Sequence, residues 1–281
     1  MNYFYNKLAK FISHISFKFN IKKNITNKLI YSVGINSLLS NKKFYESTKN
    51  INECELKIYS QNGEDGIIAE IFRRVMPSTS STNEKRWCVD VGAWDGVHLS
   101  NTWSLLVEDA SHWSGILIEA DLVRSQALKA LHDPLGNYAV TRLISCLQDS
   151  PRSLSNVLRE TNPSLPISFD FISIDVDGAD YWLMDDVLQH YTPKVICVEF
   201  NPSMPDEIIY IQARDDNIRH GSSLAGLVEL ATSHGYTLIE TCVFNAFFVP
   251  DDVYMQYFQD LVPDTSIEVL HDISMGTKMY V

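Results

Sequence analysis

The chain has no run of about 18 apolar residues, so no membrane-spanning helix is expected. It has no CxxC pair, and its five cysteines (Cys54, Cys88, Cys146, Cys197 and Cys242) are odd in number. Both facts argue against a disulfide framework or a zinc site. Four of the five fall in or beside expected strands, where small buried thiols are common. A reducing, cytoplasmic setting is therefore expected. The N-terminus, with Lys7 and Lys10 among aromatic residues, lacks the clean apolar core and cleavage site of a signal peptide. Positive charge is scarce as well. The net charge of -12 argues against a general nucleic-acid binder. Also missing are the G-x-G-x-x-G of a dinucleotide site and the Lys-Ser/Thr ending of a phosphate loop.

What is present is unevenly distributed. Residues 1–50 hold nine Lys and one Glu, giving +8; the other 14 basic and 34 acidic residues give -20. The 281 residues, 45% hydrophobic, suit one sizeable domain with an extension. The expected division is a basic helical extension over 1–57 and a main domain over 58–281. In the arm, Phe11, Ile12, Ile15, Phe17 and Phe19 mix with Lys18, Lys22 and Lys23. That pattern fits an interfacial helix in peripheral contact with a membrane. It fits equally a helix packed on the body or on a second subunit.

From Ser60 onward the text is ordered. Ile67, Ile68, Ile71, Phe72 and Val75 recur at helical spacing. Pro77 and the STSSTNE run then predict an exposed loop. Strands follow at 87–91, 115–120, 138–144, 169–175 and 194–200. Helices separate them at 99–109, 122–131, near 153–160 and at 179–190. Apolar strands alternating with helices predict a parallel sheet covered on both faces. A helix at 223–234 precedes strands at 236–243 and 246–249. These are too close for a helical crossover, so one of them must run antiparallel.

The chemistry gathers at expected strand ends. The turn Asp90-Val-Gly92-Ala-Trp-Asp95-Gly96 follows the first strand, where ligands of open α/β sheets bind. Its glycines would let the backbone pass close to a ligand. Its aspartates suit a ligand without phosphates and with positive charge. Glu119 ends the second strand, where a carboxylate accepts ribose hydroxyls; Asp121 is its nearby rival. Ser145 and Cys146 end the third, near where an adenine would rest.

Asp175 and Asp177 end the fourth strand, two positions apart and so expected on one side of it. They would serve as a general base, hold an ammonium group or bind a divalent metal, unless Asp177 only caps the next helix. With Glu199 they form an oxygen-ligand set suited to Mg²⁺. In the polar loop 212–223, Arg214, Arg219 and His220 would meet an anionic or sugar substrate, with His220 a second candidate base.

The segments SQNGEDGII (60–68), DVGAWDGVHLSNT (90–102), GILIEAD (115–121), FISIDVDGADYW (171–182), ICVEFNP (196–202) and NAFFV (245–249) resemble the FkbM-type methyltransferases. The resemblance spans about residues 58–250. It implies a class I methyltransferase sheet, Rossmann-like, in the order 3-2-1-4-5-7-6 with strand 7 antiparallel. It implies S-adenosyl-L-methionine as cofactor and a sugar or glycan-linked hydroxyl as acceptor.

Carried over by position, the Gly92–Gly96 turn lies under the methionine part and Glu119 holds the ribose. Gln61 to Asp65 closes over the cofactor, Ser100, Asn101 and Thr102 lie near its amino-acid end, and Asp175 lies beside the reacting methyl. Many members read DVEG where this chain has Asp175-Val-Asp177-Gly178, which leaves the second acid's role open. DVDGADYW is also similar to a segment of magnesium-dependent sugar O-methyltransferases, so Mg²⁺ stays in view. Two rivals remain. One is a non-catalytic binding module on the same fold, since fold does not fix function. The other is a nicotinamide-dependent oxidoreductase, disfavoured by the glycine spacing.

Overall fold

Short apolar runs bounded by glycine and acid become strands because both of their faces can be buried. A computed structural model describes residue 51 and residues 58–75, 85–108, 110 and 112–271. All belong to a compact unit spanning Lys49–Val281. The basic arm with its expected membrane or subunit contact, Cys54 and the whole STSSTNE loop lie outside the described residues.

The first helix, α1, covers Glu64–Val75. Then follow β1 (Arg86–Val91), α2 (Trp103–Glu108), β2 (Trp113–Glu119), α3 (Leu122–His132), β3 (Tyr138–Thr141), α4 (Leu154–Thr161) and β4 (Phe171–Ile174). The chain continues through α5 (Asp180–Leu188), β5 (Val195–Glu199), α6 (Leu224–Ser233), β6 (Tyr236–Thr241), β7 (Asn245–Pro250), α7 (Asp251–Tyr257) and α8 (Ile267–Leu270).

The seven strands form one sheet in the order β3-β2-β1-β4-β5-β7-β6. The pairs β1–β2, β1–β4, β2–β3 and β4–β5 are parallel; β5–β7 and β6–β7 are antiparallel. This is the class I methyltransferase strand order, and the terminal hairpin read from the sequence is its antiparallel edge.

Alternation along the strands fills two cores. Val89, Val91, Ile116, Ile118, Ile172 and Ile174 face Leu154, Leu158, Leu183 and Leu227 from α4, α5 and α6. Cys88, Leu117, Phe171, Cys197 and Phe247 face Ile67, Ile71, Leu106 and Leu128 from α1, α2 and α3. Burying an aliphatic or aromatic side chain contributes about 1.5–3 kcal/mol, so each face holds its helices firmly. Cys88, Cys146, Cys197 and Cys242 are buried free thiols, inert inside this packing.

The strands end sooner than periodicity suggests. The expected 138–144 strand stops at Thr141 and the expected 169–175 strand spans Phe171–Ile174. The helix expected from Leu99 starts at Trp103, because residues 92–102 are spent on the turn. Register sets the consequence: Val91 is level with Ile118 and Ile174, and Ile174 with Val198. Four parallel strands thus release their chain ends on one edge, which is where ligands bind in such sheets.

Candidate active site

A cavity of about 720 Å³ opens on that edge. It is lined by the ends of β1, β2, β4 and β5, including Asp90, Gly92, Glu119, Asp175, Asp177 and Glu199. Gln61, Asn101 and Arg219 reach it from the loops around the sheet.

The wall at β1 and β2 is held by backbone hydrogen bonds. The N–H groups of Gly92 and Ala93 both donate to the Ile118 carbonyl at 3.0 Å. Glu119 is buried and bridges the next residues: Oε2 accepts from the Trp94 N–H (2.8 Å) and Oε1 from the Asp121 N–H (2.7 Å). Each oxygen retains a lone pair for a second donor. Asp121, the rival, also lines the cavity but caps α3, accepting from the N–H groups of Val123 and Arg124. Asp90 is buried behind the turn and accepts from the Thr102 hydroxyl at 2.6 Å and the Ser100 hydroxyl at 3.4 Å. Burial raises its carboxyl to about 6. Asn101 donates to the Ser173 hydroxyl at 3.0 Å, which fixes its amide beside β4.

The glycines act differently from the expectation. A Cβ on Gly92 (φ +90°) would stand 1.8 Å from the Asp175 carbonyl oxygen, and one on Gly96 (φ +75°) 2.3 Å from His132 Nε2. Both clear room for protein atoms, and Gly92 also lines the cavity.

The opposite wall is acidic. One carboxylate oxygen from each of Asp175, Asp177 and Glu199 lies within 4.8 Å of the others. The convergence is made by a turn and not by strand pleat, since β4 ends at Ile174 and Asp177 adopts φ +58°. Asp180, which the sequence reading missed, builds this turn. Fully buried, it accepts from the Val176 N–H through Oδ1 and from the Gly178 N–H through Oδ2, both at 2.8 Å. Neither acid caps α5, whose N-cap Ala179 makes no side-chain capping hydrogen bond; the signal for Asp180 was the third acid of DVDGAD. Burial, then the neighbouring Asp177 charge, raises Asp175 to about 6. Burial, then the charges of Asp175, Asp180 and Asp177, raises Glu199 to about 9. Asp175 and Glu199 hydrogen-bond each other, so the pair holds a proton more readily than an isolated carboxylate does.

Several expected site residues do not line the cavity. Asp95 and Gly96 sit behind the turn, where Asp95 accepts from the N–H groups of Val97 and His98 and pairs with the His98 ring at 2.8 Å. His98 lines the cavity instead. Thr102 is spent on Asp90. Asp65 organises the turn before α1, accepting from the N–H groups of Ile58, Tyr59 and Ser60. Buried Glu64 ties that turn to the hairpin through the Asn245 amide at 3.1 Å, and Gln61 is thereby set at the cavity. Ser145 donates to Asp216 at 2.8 Å, and Asp216 is what lines the cavity. His220 is exposed away from it, its N–H held by Gln212 and its carbonyl by Asn201. Arg214 is drawn off too, donating to the Cys146 carbonyl at 2.6 Å and stacking over Trp182.

No protein-family model and no curated protein matches the chain. Similar solved structures include a TehB-like SAM-dependent methyltransferase from Corynebacterium glutamicum, at 12% identity over 80% of this chain and 98% of that one, TM-score 0.36. Another is the N-terminal domain of EvdMO1 with SAH bound, at 12% identity over 68% and 81%, TM-score 0.40. A third is the CurJ carbon methyltransferase, at 9% identity and TM-score 0.42; the match covers 66% of this chain and 52% of that one, so this chain spans about half its length. At these identities and scores the likenesses carry no functional argument.

Proposed function

We propose that the chain is an S-adenosylmethionine-dependent O-methyltransferase acting on a hydroxyl of a sugar or glycan-linked small group. One observation carries this reading: a single cavity places Glu119 at the end of β2 opposite Asp175, Asp177 and Glu199 at the ends of β4 and β5. The cofactor fits what is there. Glu119 has a free lone pair on each oxygen for the ribose hydroxyls, and the volume lies in the usual range for such ligands. The acids that line the cavity suit a positively charged sulfonium.

When bound, the cofactor supplies an electrophilic methyl group. The protein's part is positioning, which by itself supplies a large share of such acceleration. Glu119 and the Gly92–Trp94 backbone would fix the nucleoside, and Asn101 and Gln61 the amino-acid end. Asp175 would accept the proton of the attacking hydroxyl. Glu199, hydrogen-bonded to it, would orient that carboxylate.

The three acids also fit a hard divalent cation such as Mg²⁺, whose ligands are carboxylate oxygens at close mutual spacing. Asp175, Asp177 and Glu199 would hold it, and it would lower the pKa of the acceptor hydroxyl.

The decisive experiment is calorimetry of the purified full chain with S-adenosylmethionine and S-adenosylhomocysteine. Micromolar binding of both is expected, and absence of binding overturns the reading. A screen with labelled cofactor against sugar nucleotides and glycan precursors then identifies the acceptor.

A further inference from the structure

We infer that the acceptor carries an anionic group, a phosphate or a carboxylate, and that Arg219 receives it. This inference rests on the methyl-transfer reading and extends it to the substrate class.

Three arginines line the cavity: Arg124, Arg142 and Arg219. The first is occupied, its guanidinium 3.5 Å from the centre of the Trp94 ring. The second pairs with Glu160 at 3.5 Å. Arg219 has no hydrogen-bond or ion-pair partner among the described residues, although Asp177 and Asp216 line the same cavity. Its charge is thus available to a ligand and is not consumed by the acids beside it.

Its backbone, by contrast, is tightly built. Gln212 is fully buried and staples both sides of the residue: Nε2 donates to the Ile218 carbonyl (3.0 Å), and Oε1 accepts from the N–H groups of His220 (2.8 Å) and Gly221 (2.9 Å). Gly178 completes the seat. A Cβ there would come within 2.7 Å of the Arg219 Cα, so only glycine lets the loop close on the DVDG turn. A buried amide and a glycine at φ +152° hold one residue's main chain while its side chain stays free.

The location separates this cation from the nucleoside. Arg219 packs against Gly178, the neighbour of Asp177, on the β4–β5 side, whereas Glu119 lies across the cavity at β2. A guanidinium offers a planar donor pair that matches a carboxylate or phosphate edge. The acidic wall beside it would receive the hydroxyl end of the same molecule. An acceptor with its anion on Arg219 and a hydroxyl at Asp175 satisfies both walls.

The test titrates the full chain, saturated with S-adenosylhomocysteine in the presence of a chelator, with inorganic phosphate and separately with acetate, followed by amide NMR shifts. Saturable shifts around Gly178 and Gly221 are expected with at least one anion, with affinity weakened at least five-fold in Arg219→Ala and less in Arg219→Lys. The arm that binds tighter names the anion. No saturable shift in the wild type, or equal affinity in Arg219→Ala, overturns the inference. Calorimetry of Arg219→Ala is a separate arm. If it weakens S-adenosylhomocysteine but not methylthioadenosine, which lacks the carboxylate, Arg219 holds the cofactor's own carboxylate and the acceptor assignment is overturned. Failure of the wild type to bind S-adenosylhomocysteine counts against methyl transfer alone, because the anion titration is repeated without it.

Discussion

The carbonyl oxygen of Asp175 occupies the space beside Gly92 in which any other residue would place its Cβ, 1.8 Å away. The cofactor-side turn and the candidate base are therefore in backbone contact, linked further by the Asp175 N–H donating to the Val91 carbonyl at 3.0 Å.

Gly92→Ala tests that contact. The overlap is with backbone, which cannot rotate away, and φ +90° adds conformational cost. A loss of at least about 4 kcal/mol is expected, with loss of S-adenosylhomocysteine binding. Gly136→Ala is the control, since φ is +82° but nothing lies within 4 Å of its Cβ position. It should cost only about 1–2 kcal/mol. Similar chemical-denaturation midpoints for the two variants would show that the contact does not matter.

Glu119 makes a sharper prediction. In Glu119→Gln the amide nitrogen must face either the Trp94 or the Asp121 N–H, donor against donor. The ribose-facing lone pair on that side is lost as well. We expect affinity for S-adenosylhomocysteine to fall ten-fold or more, measured well below the variant's melting temperature. Removing a buried acceptor costs about 1–3 kcal/mol, so some loss of stability is also expected. Unchanged affinity would remove Glu119 from the site.

Much of this fold was legible because apolar runs separated by helical periods leave few topologies, and the short link expected at Phe244 and Asn245, residues 242–244 in the structure, forces the antiparallel edge. The acids at the ends of β2, β4 and β5 were legible for the same reason, since strand ends in such sheets share one edge. What the sequence could not convey was which way neighbouring side chains turn. Asp90 and Asp95 look alike in DVGAWDG, yet one lines the cavity and the other caps a turn. His220 looked catalytic as the histidine of a polar loop, but a buried Gln212 eight residues earlier fixes its backbone, and its side chain is exposed outside the cavity lining. Such assignments depend on contacts distant in sequence, and no spacing encodes them.

His132 should make stability pH-dependent. It is fully buried under Gly96, and burial lowers its pKa to about 4. The hydrogen bonds agree: Asn137 Oδ1 accepts from the Gly115 N–H, so its amide nitrogen donates to His132 Nδ1, which must be unprotonated. A depressed histidine contributes stability that is complete above the unfolded value of 6.5 and is lost as pH falls towards 4. The total is roughly 3 kcal/mol, at about 1.4 kcal/mol per pH unit. Urea unfolding at pH 7, 6 and 5 should give a steeper acid loss in the wild type than in His132→Gln. Parallel slopes would place the proton elsewhere.

Asp180 and Asp177 separate construction of the acidic wall from its use. Asp180→Asn leaves either the Val176 or the Gly178 N–H facing an amide nitrogen inside the protein, since each carboxylate oxygen now accepts one of them. That should cost about 1–3 kcal/mol and loosen the turn that carries Asp177, so both stability and Mn²⁺ affinity should fall. Asp177→Asn removes one candidate ligand from an exposed position and should lower Mn²⁺ affinity with little change in melting temperature. Electron paramagnetic resonance of Mn²⁺ added to the two variants and the wild type reads the affinities directly. If Asp177→Asn binds Mn²⁺ as the wild type does, the ion is not held by this triad, and proton removal is left to the Asp175 carboxylate.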